Sequence, residues 1–289
     1  MGRWSDRNKK NTIKDEVYQR LSKMFKEGKG RNRHEDKKHG LDRQYIYSER
    51  TYRTYMNEAK HFRKWISEHH PECRHLRDCR KYVNEYLQSL IDDGKSAYTI
   101  TTRKAALVKL FGVDYSAFME TPSRYRRNIT RSRYETEYDK HISAKTEAYW
   151  AKITSATGLR ISELTRIRGT DIKQIGELYY LHVQRGTKGG RDRYALVLDA
   201  DVAKQIELAG DRPAFPSVPK AFDNHHYRGE YAKRLYNIYA RPADAIPPED
   251  RYIMRADRKG TILDKKAMKS VSECLGHNRI SVIAQHYLY

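Results

Sequence analysis

Two arginines in distinct sequence settings give the first indication of chemistry in this chain. Arg160 follows a Thr-Gly break and begins the apolar stretch Arg-Ile-Ser-Glu-Leu, and Arg228 closes the segment His-His-Tyr-Arg. The guanidinium group is planar, permanently charged and able to bind phosphate through two parallel hydrogen bonds. Two such groups from separate segments suit the stabilisation of a phosphoryl-transfer transition state. Glu163 lies one helical turn after Arg160, where its carboxylate could orient the arginine.

Titratable residues accompany the arginines. His225 lies three residues before the second arginine, although the neighbouring His226 leaves that position ambiguous by one residue. His277 follows a Leu-Gly pair, and either histidine could bind a phosphate oxygen or accept a proton near neutral pH. Tyr287 lies ten residues after His277. Its phenolate could act as a nucleophile, because a phosphotyrosine ester stores the energy of the cleaved phosphodiester.

A glycine-containing turn supplies further cations. Residues 187–193 read Thr-Lys-Gly-Gly-Arg-Asp-Arg, and β-rich runs flank them on both sides. The pattern predicts a β-hairpin with Lys188 at its tip. A lysine ammonium can donate a proton during catalysis, whereas Arg191 and Arg193 are poor donors because the pKa of arginine is too high.

The order of these residues resembles that of the tyrosine recombinases, also called the phage-integrase family. The shared order is arginine, lysine, His-x-x-Arg, Gly-His and tyrosine, and the resemblance covers about residues 48–289, most specifically 156–289. It implies a set of catalytic residues, namely Arg160, Lys188, His225, Arg228, His277 and Tyr287. It assigns Glu163 a supporting role.

The reaction that the resemblance implies is cleavage of one DNA strand per protomer. Tyr287 would form a 3′-phosphotyrosine intermediate, Lys188 would protonate the leaving 5′-oxygen, and the 5′-hydroxyl of the partner strand would rejoin the DNA. The family's usual spacing favours Tyr287 over Tyr289 as the nucleophile. The implied protein is a site-specific recombinase or integrase of a phage or mobile element. The alternatives are a topoisomerase with the same chemistry and a catalytically inactive DNA-binding relative.

Charge and hydropathy are consistent with a DNA partner. The chain of 289 residues has 58 Lys and Arg against 37 Asp and Glu, a formal net charge of +21, which predicts a polyanionic partner such as nucleic acid. The resemblance implies that the partners are double-stranded DNA recombination sites, bound by a homotetramer on two duplexes. An accessory directionality factor is a further possible partner. No apolar run is long enough for a membrane span or a signal peptide, so we expect a cytoplasmic, nucleoid-associated protein without a membrane partner.

No cofactor or metal is expected from the sequence. The three cysteines, Cys73, Cys79 and Cys274, form neither a disulfide framework nor a zinc pattern. There is also no acidic cluster to supply metal ligands. The arginines can instead carry the charge stabilisation.

The elements that must position these residues define the expected fold class, which is mainly α with a small antiparallel sheet. Apolar stripes of helical period predict a helical core-binding domain, and the β-rich runs that follow predict an α+β catalytic domain. The predicted divisions are a basic N-terminal arm at 1–45, the helical DNA-binding domain at 46–113, a basic linker at 114–142 and the catalytic domain at 143–289. By resemblance, the linker lets the two domains clamp the duplex.

Arginines in the linker and the hairpin turn are expected to contact DNA phosphates. They are Arg124, Arg126, Arg127, Arg131, Arg133, Arg191 and Arg193.

Two features depart from the compact family pattern. His277 lies 49 residues after Arg228, and most of the excess falls at 241–264, where two β-rich runs predict an added hairpin of unassigned role. Few residues follow Tyr287, so we expect subunits to contact each other through another element.

Overall fold

The structure is a computed structural model of the chain, and it describes residues 12–125, 142–187, 190, 192–255 and 258–288. The chain divides into two compact units, Met1–Asn128 and Ile129–Tyr289. The boundary falls within residues 114–142, where the sequence predicts a linker. The fold is mainly helical with small antiparallel sheets, which confirms the predicted fold class.

The N-terminal unit is a helical bundle. Its helices are α1 (Ile13–Gly28), α2 (Arg33–Lys38), α3 (Glu49–His69), α4 (Leu76–Cys79), α5 (Val83–Asp92) and α6 (Ala97–Phe111). Ser48 and Ser96 cap α3 and α6 by accepting hydrogen bonds from backbone amides of their first turns. A 3-10 turn at Arg80–Tyr82 separates α4 from α5.

The bundle extends beyond the range predicted for it, at both ends. Val17 and Leu21 of α1 are buried in the same core as Phe62 of α3, so residues 13–28 belong to this unit rather than to a separate arm. The segment is strongly basic, so its few apolar residues do not stand out in the sequence as core positions. Phe118 is also buried there, and Lys104 donates to its carbonyl over 3.2 Å, so the unit continues past residue 113.

The C-terminal unit combines helices with two small sheets. Its helices are α7 (Ala144–Thr157), α8 (Ile161–Leu164), α9 (Ala200–Glu207), α10 (Asn224–Tyr239), α11 (Lys265–Leu275) and α12 (Ser281–His286). Its strands are β1 (Ile172–Ile175), β2 (Leu178–Val183), β3 (Arg193–Val197), β4 (Arg251–Ile253) and β5 (Ile262–Asp264).

Both predicted hairpins are present. Strands β2 and β3 pair in antiparallel register, and β4 and β5 form the added hairpin within 241–264. Strand β1 completes a sheet of order β1-β2-β3 and was not predicted. Its sequence, Ile-Lys-Gln-Ile, is short, and only Ile172 is buried, so it lacks the alternation that identifies a strand. Among the described residues, no helix is long and apolar enough to cross a bilayer.

Gly158 determines how the chain leaves α7 and enters the segment that carries Arg160. It caps the helix with φ of +63°, in the left-handed region that glycine adopts without a steric cost. A Cβ at this position would collide with the ring of Tyr231. That ring is buried, and its hydroxyl donates to the carbonyl of Leu196 over 2.8 Å, so it has little freedom to move.

We predict that Gly158→Ala destabilises the protein more than Gly176→Ala. Gly176 has a similar φ of +60°, but a Cβ there would meet no atom within 4 Å. The control therefore carries only the backbone cost of about 1 kcal/mol. Gly158→Ala adds a clash in a packed core, for a total of roughly 2–4 kcal/mol. Urea unfolding of both variants measures the difference, and equal losses would show that the Tyr231 contact is unimportant.

Candidate active site

A buried carboxylate lies at the centre of the candidate site. Glu163 is 0% exposed and accepts hydrogen bonds from two arginine side chains. Arg160 donates from Nη1 over 2.7 Å, and Arg193 donates from Nη1 and Nη2 over 3.0 and 2.9 Å. The Nη1 atom of a third arginine, Arg228, lies 4.0 Å from the same carboxylate. Three cations therefore surround one buried anion.

Local backbone geometry explains the position of this carboxylate. Arg160 is the N-cap of α8, and Glu163 is the third residue of that helix. The carboxylate also accepts the backbone N–H of Arg160 over 2.8 Å, and the amide of Glu163 donates to the backbone carbonyl of Arg160 over 2.9 Å. Burial alone would raise the pKa of Glu163, but the hydrogen bonds and charge of Arg193, with the charge of Arg228, lower it below its ordinary value. Glu163 is therefore ionised at neutral pH.

Arg193 is part of this cluster and does not face outward, which corrects the expectation that it contacts DNA. It is the first residue of β3, and its side chain is only 6% exposed. Its Nε donates to the carbonyl of Cys274 over 2.7 Å while its other nitrogens hold Glu163. All of these donors are committed inside the protein, so Arg193 orients Glu163. The charged sequence of residues 187–193 does not indicate that Arg193 is buried.

Arg228 comes from α10 and is fully buried. Its Nη2 donates to the carbonyl of Leu275 over 2.6 Å, and its Nη1 donates to the carbonyl of Gly158. Its Nε donates to the hydroxyl of Tyr287 over 3.3 Å. Arg160 reaches the same Leu275 carbonyl from Nη2, over 3.4 Å. Burial lowers the pKa of Arg228, but arginine starts so high that it remains charged.

His277 and Tyr287 meet beside these arginines. Helix α11 ends at Leu275, Gly276 takes φ of +68°, and this turn directs His277 inward. Nε2 of His277 lies 3.2 Å from the hydroxyl of Tyr287. Burial, together with the charges of Arg228, Arg160 and Arg193, lowers the pKa of His277 to about 3. The imidazole is therefore neutral at pH 7 and can accept a hydrogen bond from the phenol.

The hydroxyl of Tyr287 therefore lies between a hydrogen-bond donor and a hydrogen-bond acceptor. It accepts from Arg228 and lies within hydrogen-bond distance of a neutral imidazole. Tyr287 is the first residue after α12, and its amide bonds to the carbonyl of Ile283 over 3.0 Å. The amide of Tyr287 therefore continues the helical pattern of hydrogen bonds.

Of the remaining predicted residues, the structure describes His225, His226 and Arg124. His225 is exposed on the first turn of α10, three residues before Arg228, and this spacing places it on the side of Arg228. His226 is half-buried, with its ring edge against Tyr227. Arg124 is exposed, with its guanidinium 5.5 Å above the ring of Tyr98. Several predicted residues lie outside the described part of the chain: Arg126, Arg127, Arg131, Arg133, Lys188, Arg191 and Tyr289.

The base of the β2–β3 hairpin is fixed next to the arginine cluster. The hydroxyl of Ser162 donates to the carbonyl of Gly186 over 2.9 Å. A Cβ on Gly186 would collide with the backbone carbonyl of Ser162, so the two backbones are in close contact. Ser162 lies two residues after Arg160, and Gly186 lies two residues before Lys188. Within the described residues, no group of three or more His, Cys, Asp or Glu side chains is arranged to hold a metal ion.

Comparison with known proteins identifies the fold. The family model of the phage integrase N-terminal SAM-like domain matches residues 38–116. The XerH site-specific recombinase in a post-cleavage complex with a palindromic difH substrate has a TM-score of 0.53 at 14% identity, over 93% of this chain and 89% of that chain. A lambda integrase dimer bound to a COC′ core site has a TM-score of 0.54 at 15% identity, over 88% and 75%. No curated protein sequence matches the chain.

The chain therefore has the fold of the tyrosine recombinases, which confirms the resemblance seen in its motifs. Residues 38–116 of its N-terminal unit are similar to the SAM-like domain of phage integrases.

We predict that Glu163→Gln lowers the free energy of unfolding at pH 7 by about 3 kcal/mol, since removing one partner leaves buried arginines uncompensated. Glu207→Gln, on the exposed side of α9, is the matched control and should change little. Because the folded pKa of Glu163 lies below 4.5, its contribution is present above that pH and is lost as pH falls. Urea titrations should therefore show the two proteins converging in acid. A constant difference between pH 7 and pH 3 would contradict an ionised Glu163.

Proposed function

We propose that this chain is a site-specific DNA recombinase that cleaves and rejoins strands through a covalent tyrosine intermediate. The observation that supports this most directly is the position of the Tyr287 hydroxyl, 3.3 Å from Nε of Arg228 and 3.2 Å from Nε2 of His277. A nucleophile, a fixed cation and a neutral base therefore share one site. Arg160 is joined to the same site through the Leu275 carbonyl.

The cleavage step can be written with these groups. The phenolic oxygen of Tyr287 attacks the phosphorus, and its proton passes to Nε2 of His277. The bond from phosphorus to the 5′-oxygen breaks, and that oxygen takes a proton from Lys188. The products are a 3′-phosphotyrosine and a free 5′-hydroxyl. Arg160 and His225 are the candidate donors to the nonbridging oxygens, and Arg228 stabilises their charge electrostatically from its buried position.

The low pKa of His277 suits a base that is switched on by its substrate. Without DNA, burial and the charges of the three arginines hold the imidazole neutral. A bound phosphate would bring negative charge against those same arginines. This raises the pKa of the imidazole, because nearby negative charge favours its protonated form. His277 then becomes a better proton acceptor at the point where Tyr287 must lose its proton.

The charge and the site both support a DNA partner. The formal net charge of +21 favours association with a duplex. The comparison structures of XerH and lambda integrase were solved with a difH substrate and a COC′ core site, which suggests the same class of ligand for this chain. One nucleophile per protomer and one cut in each strand of two duplexes require a homotetramer. The N-terminal unit and the exposed Arg124 would supply further contacts to the duplex phosphates.

We predict that Tyr287→Phe abolishes a covalent adduct while DNA binding is retained. A pool of nicked duplexes with a randomised core serves as substrate, because loss of the short cleaved fragment traps the intermediate. Protein–DNA adducts that survive SDS are then recovered and sequenced. Tyr289→Phe is the matched control and should react like the wild type. An adduct that survives in Tyr287→Phe and disappears in Tyr289→Phe would move the nucleophile to Tyr289, and no adduct in the wild type would refute the proposal.

We predict that Lys188→Ala slows cleavage by about 10²–10⁴-fold, which is the usual contribution of general acid catalysis. Affinity should change little, since one phosphate contact among many is small. A duplex with a bridging 5′-phosphorothiolate has a leaving group that needs no proton, so it should restore much of the lost rate. The same duplex should not rescue Arg160→Ala, whose arginine stabilises the phosphorane. Equal defects of Lys188→Ala on both substrates would remove this lysine from the acid role.

A further inference from the structure

The hairpin β4–β5 contacts the segment that carries the nucleophile. Arg258 lies in the turn between the two strands, and its Nη1 donates to the backbone carbonyl of Leu288 over 2.6 Å. Leu288 follows Tyr287 directly. Backbone bonds join the described residues on either side of this turn: the amide of Thr261 donates to the carbonyl of Arg258 over 3.2 Å, and the amide of Met254 donates to the carbonyl of Thr261 over 2.9 Å.

Apolar packing reinforces this polar contact. The side chain of Leu288 is 7% exposed and belongs to the same core cluster as Met254 and Leu263. Met254 follows β4, and Leu263 is the central residue of β5. The hairpin therefore holds the residue after Tyr287 both by its carbonyl and by its side chain.

The other end of the hairpin is anchored to the helix that precedes His277. Asp264, the last residue of β5, is 0% exposed and accepts from Nε and Nη2 of Arg241 over 2.6 and 2.8 Å. The same carboxylate caps α11 by accepting the amide of Lys266 over 2.9 Å. Arg241 also donates to Asp250 over 2.9 Å. The hairpin is thus a firm connection between the start of α11 and the segment after α12.

Such a connection has a physical purpose at this position. Helix α12 has six residues, and a helix this short is unstable without tertiary contacts. The amides of Tyr287 and Leu288 both point to a single carbonyl, that of Ile283, over 3.0 and 3.1 Å. In-line attack requires the phenolic oxygen to stay within about 3–3.5 Å of the phosphorus, so fraying of this segment would reduce the reactive population.

We propose that Arg258 is a positioning residue, which holds Tyr287 in its attacking position through the Leu288 carbonyl. The proposal rests on the function proposed above, since it assigns Tyr287 as the nucleophile. It gives the insertion at 241–264 a role in the reaction of its own protomer.

The first test needs no DNA. Hydrogen exchange measured by mass spectrometry follows a peptide that covers residues 281–288 in the full chain. Arg258→Ala should speed exchange of this peptide by about tenfold, the effect of losing one hydrogen bond from a charged donor. Arg258→Lys should restore part of the protection, because an ammonium can donate to the same carbonyl. Lys259→Ala removes an equal charge from an exposed position of the same turn and should exchange like the wild type.

The second test uses the nicked duplex recovered as a covalent adduct. Arg258→Ala should lower the rate of adduct formation at saturating DNA by about tenfold, with the half-saturating DNA concentration unchanged. Unchanged exchange and unchanged rate in Arg258→Ala would overturn the proposal, as would an equal rate loss in Lys259→Ala. Failure of the wild type to form any adduct would instead refute the proposed function, and the exchange comparison would still decide whether Arg258 holds the segment.

Discussion

The candidate site depends on one buried ion cluster, in which Glu163 holds Arg160 and Arg193 and lies near Arg228. Three guanidinium groups at close range repel one another, and burial adds the cost of desolvating each. A fully buried, ionised carboxylate offsets both effects and fixes the arginines in place. The cluster also restricts its surroundings, since a Cβ at Gly276 would lie 3.0 Å from Cδ of Arg193. This close approach and the φ of +68° both favour glycine in the turn that directs His277 inward.

Backbone carbonyls, together with the Glu163 carboxylate, hold the buried arginines in place. Helix α7 ends at the carbonyl of Gly158 and α11 ends at those of Cys274 and Leu275, and these oxygens accept from the buried arginines. The last carbonyls of a helix lack partners within the helix and carry the negative end of its dipole. The ends of these two helices converge on the arginines. The carbonyls thus gain hydrogen-bond donors, and the buried arginine nitrogens gain acceptors. A fixed array of cations results beside the hydroxyl of Tyr287.

The sequence predicted the parts of this site that depend on residue type and order. Arg160, Arg228, His277 and Tyr287 come together as the family resemblance implied, and the two hairpins follow from β-rich runs with turn residues between them. The role of Arg193 could not be predicted, because a charged residue beside Lys-Gly-Gly-Arg-Asp looks like part of an exposed turn. Its burial depends on Glu163, 30 residues earlier, and that pairing is visible only once β3 has docked. Strand β1 and the packing of α1 were missed for a related reason: each depends on only a few buried apolar positions.

The insertion at 241–264 shows how a long connection can leave a site intact. The entropic cost of closing a loop rises only slowly with its length, so added residues between α10 and α11 change stability little. The two helices still pack directly against each other, and the Arg228 and Leu275 groups they carry remain 2.6 Å apart. The added residues are therefore free to acquire contacts of their own. Their strands begin near the Asp264 cap of α11 and their turn reaches Leu288, so the insertion spans from the helix that positions His277 to the residue after Tyr287. The insertion thus adds a second restraint, beside the arginine cluster, on His277 and Tyr287.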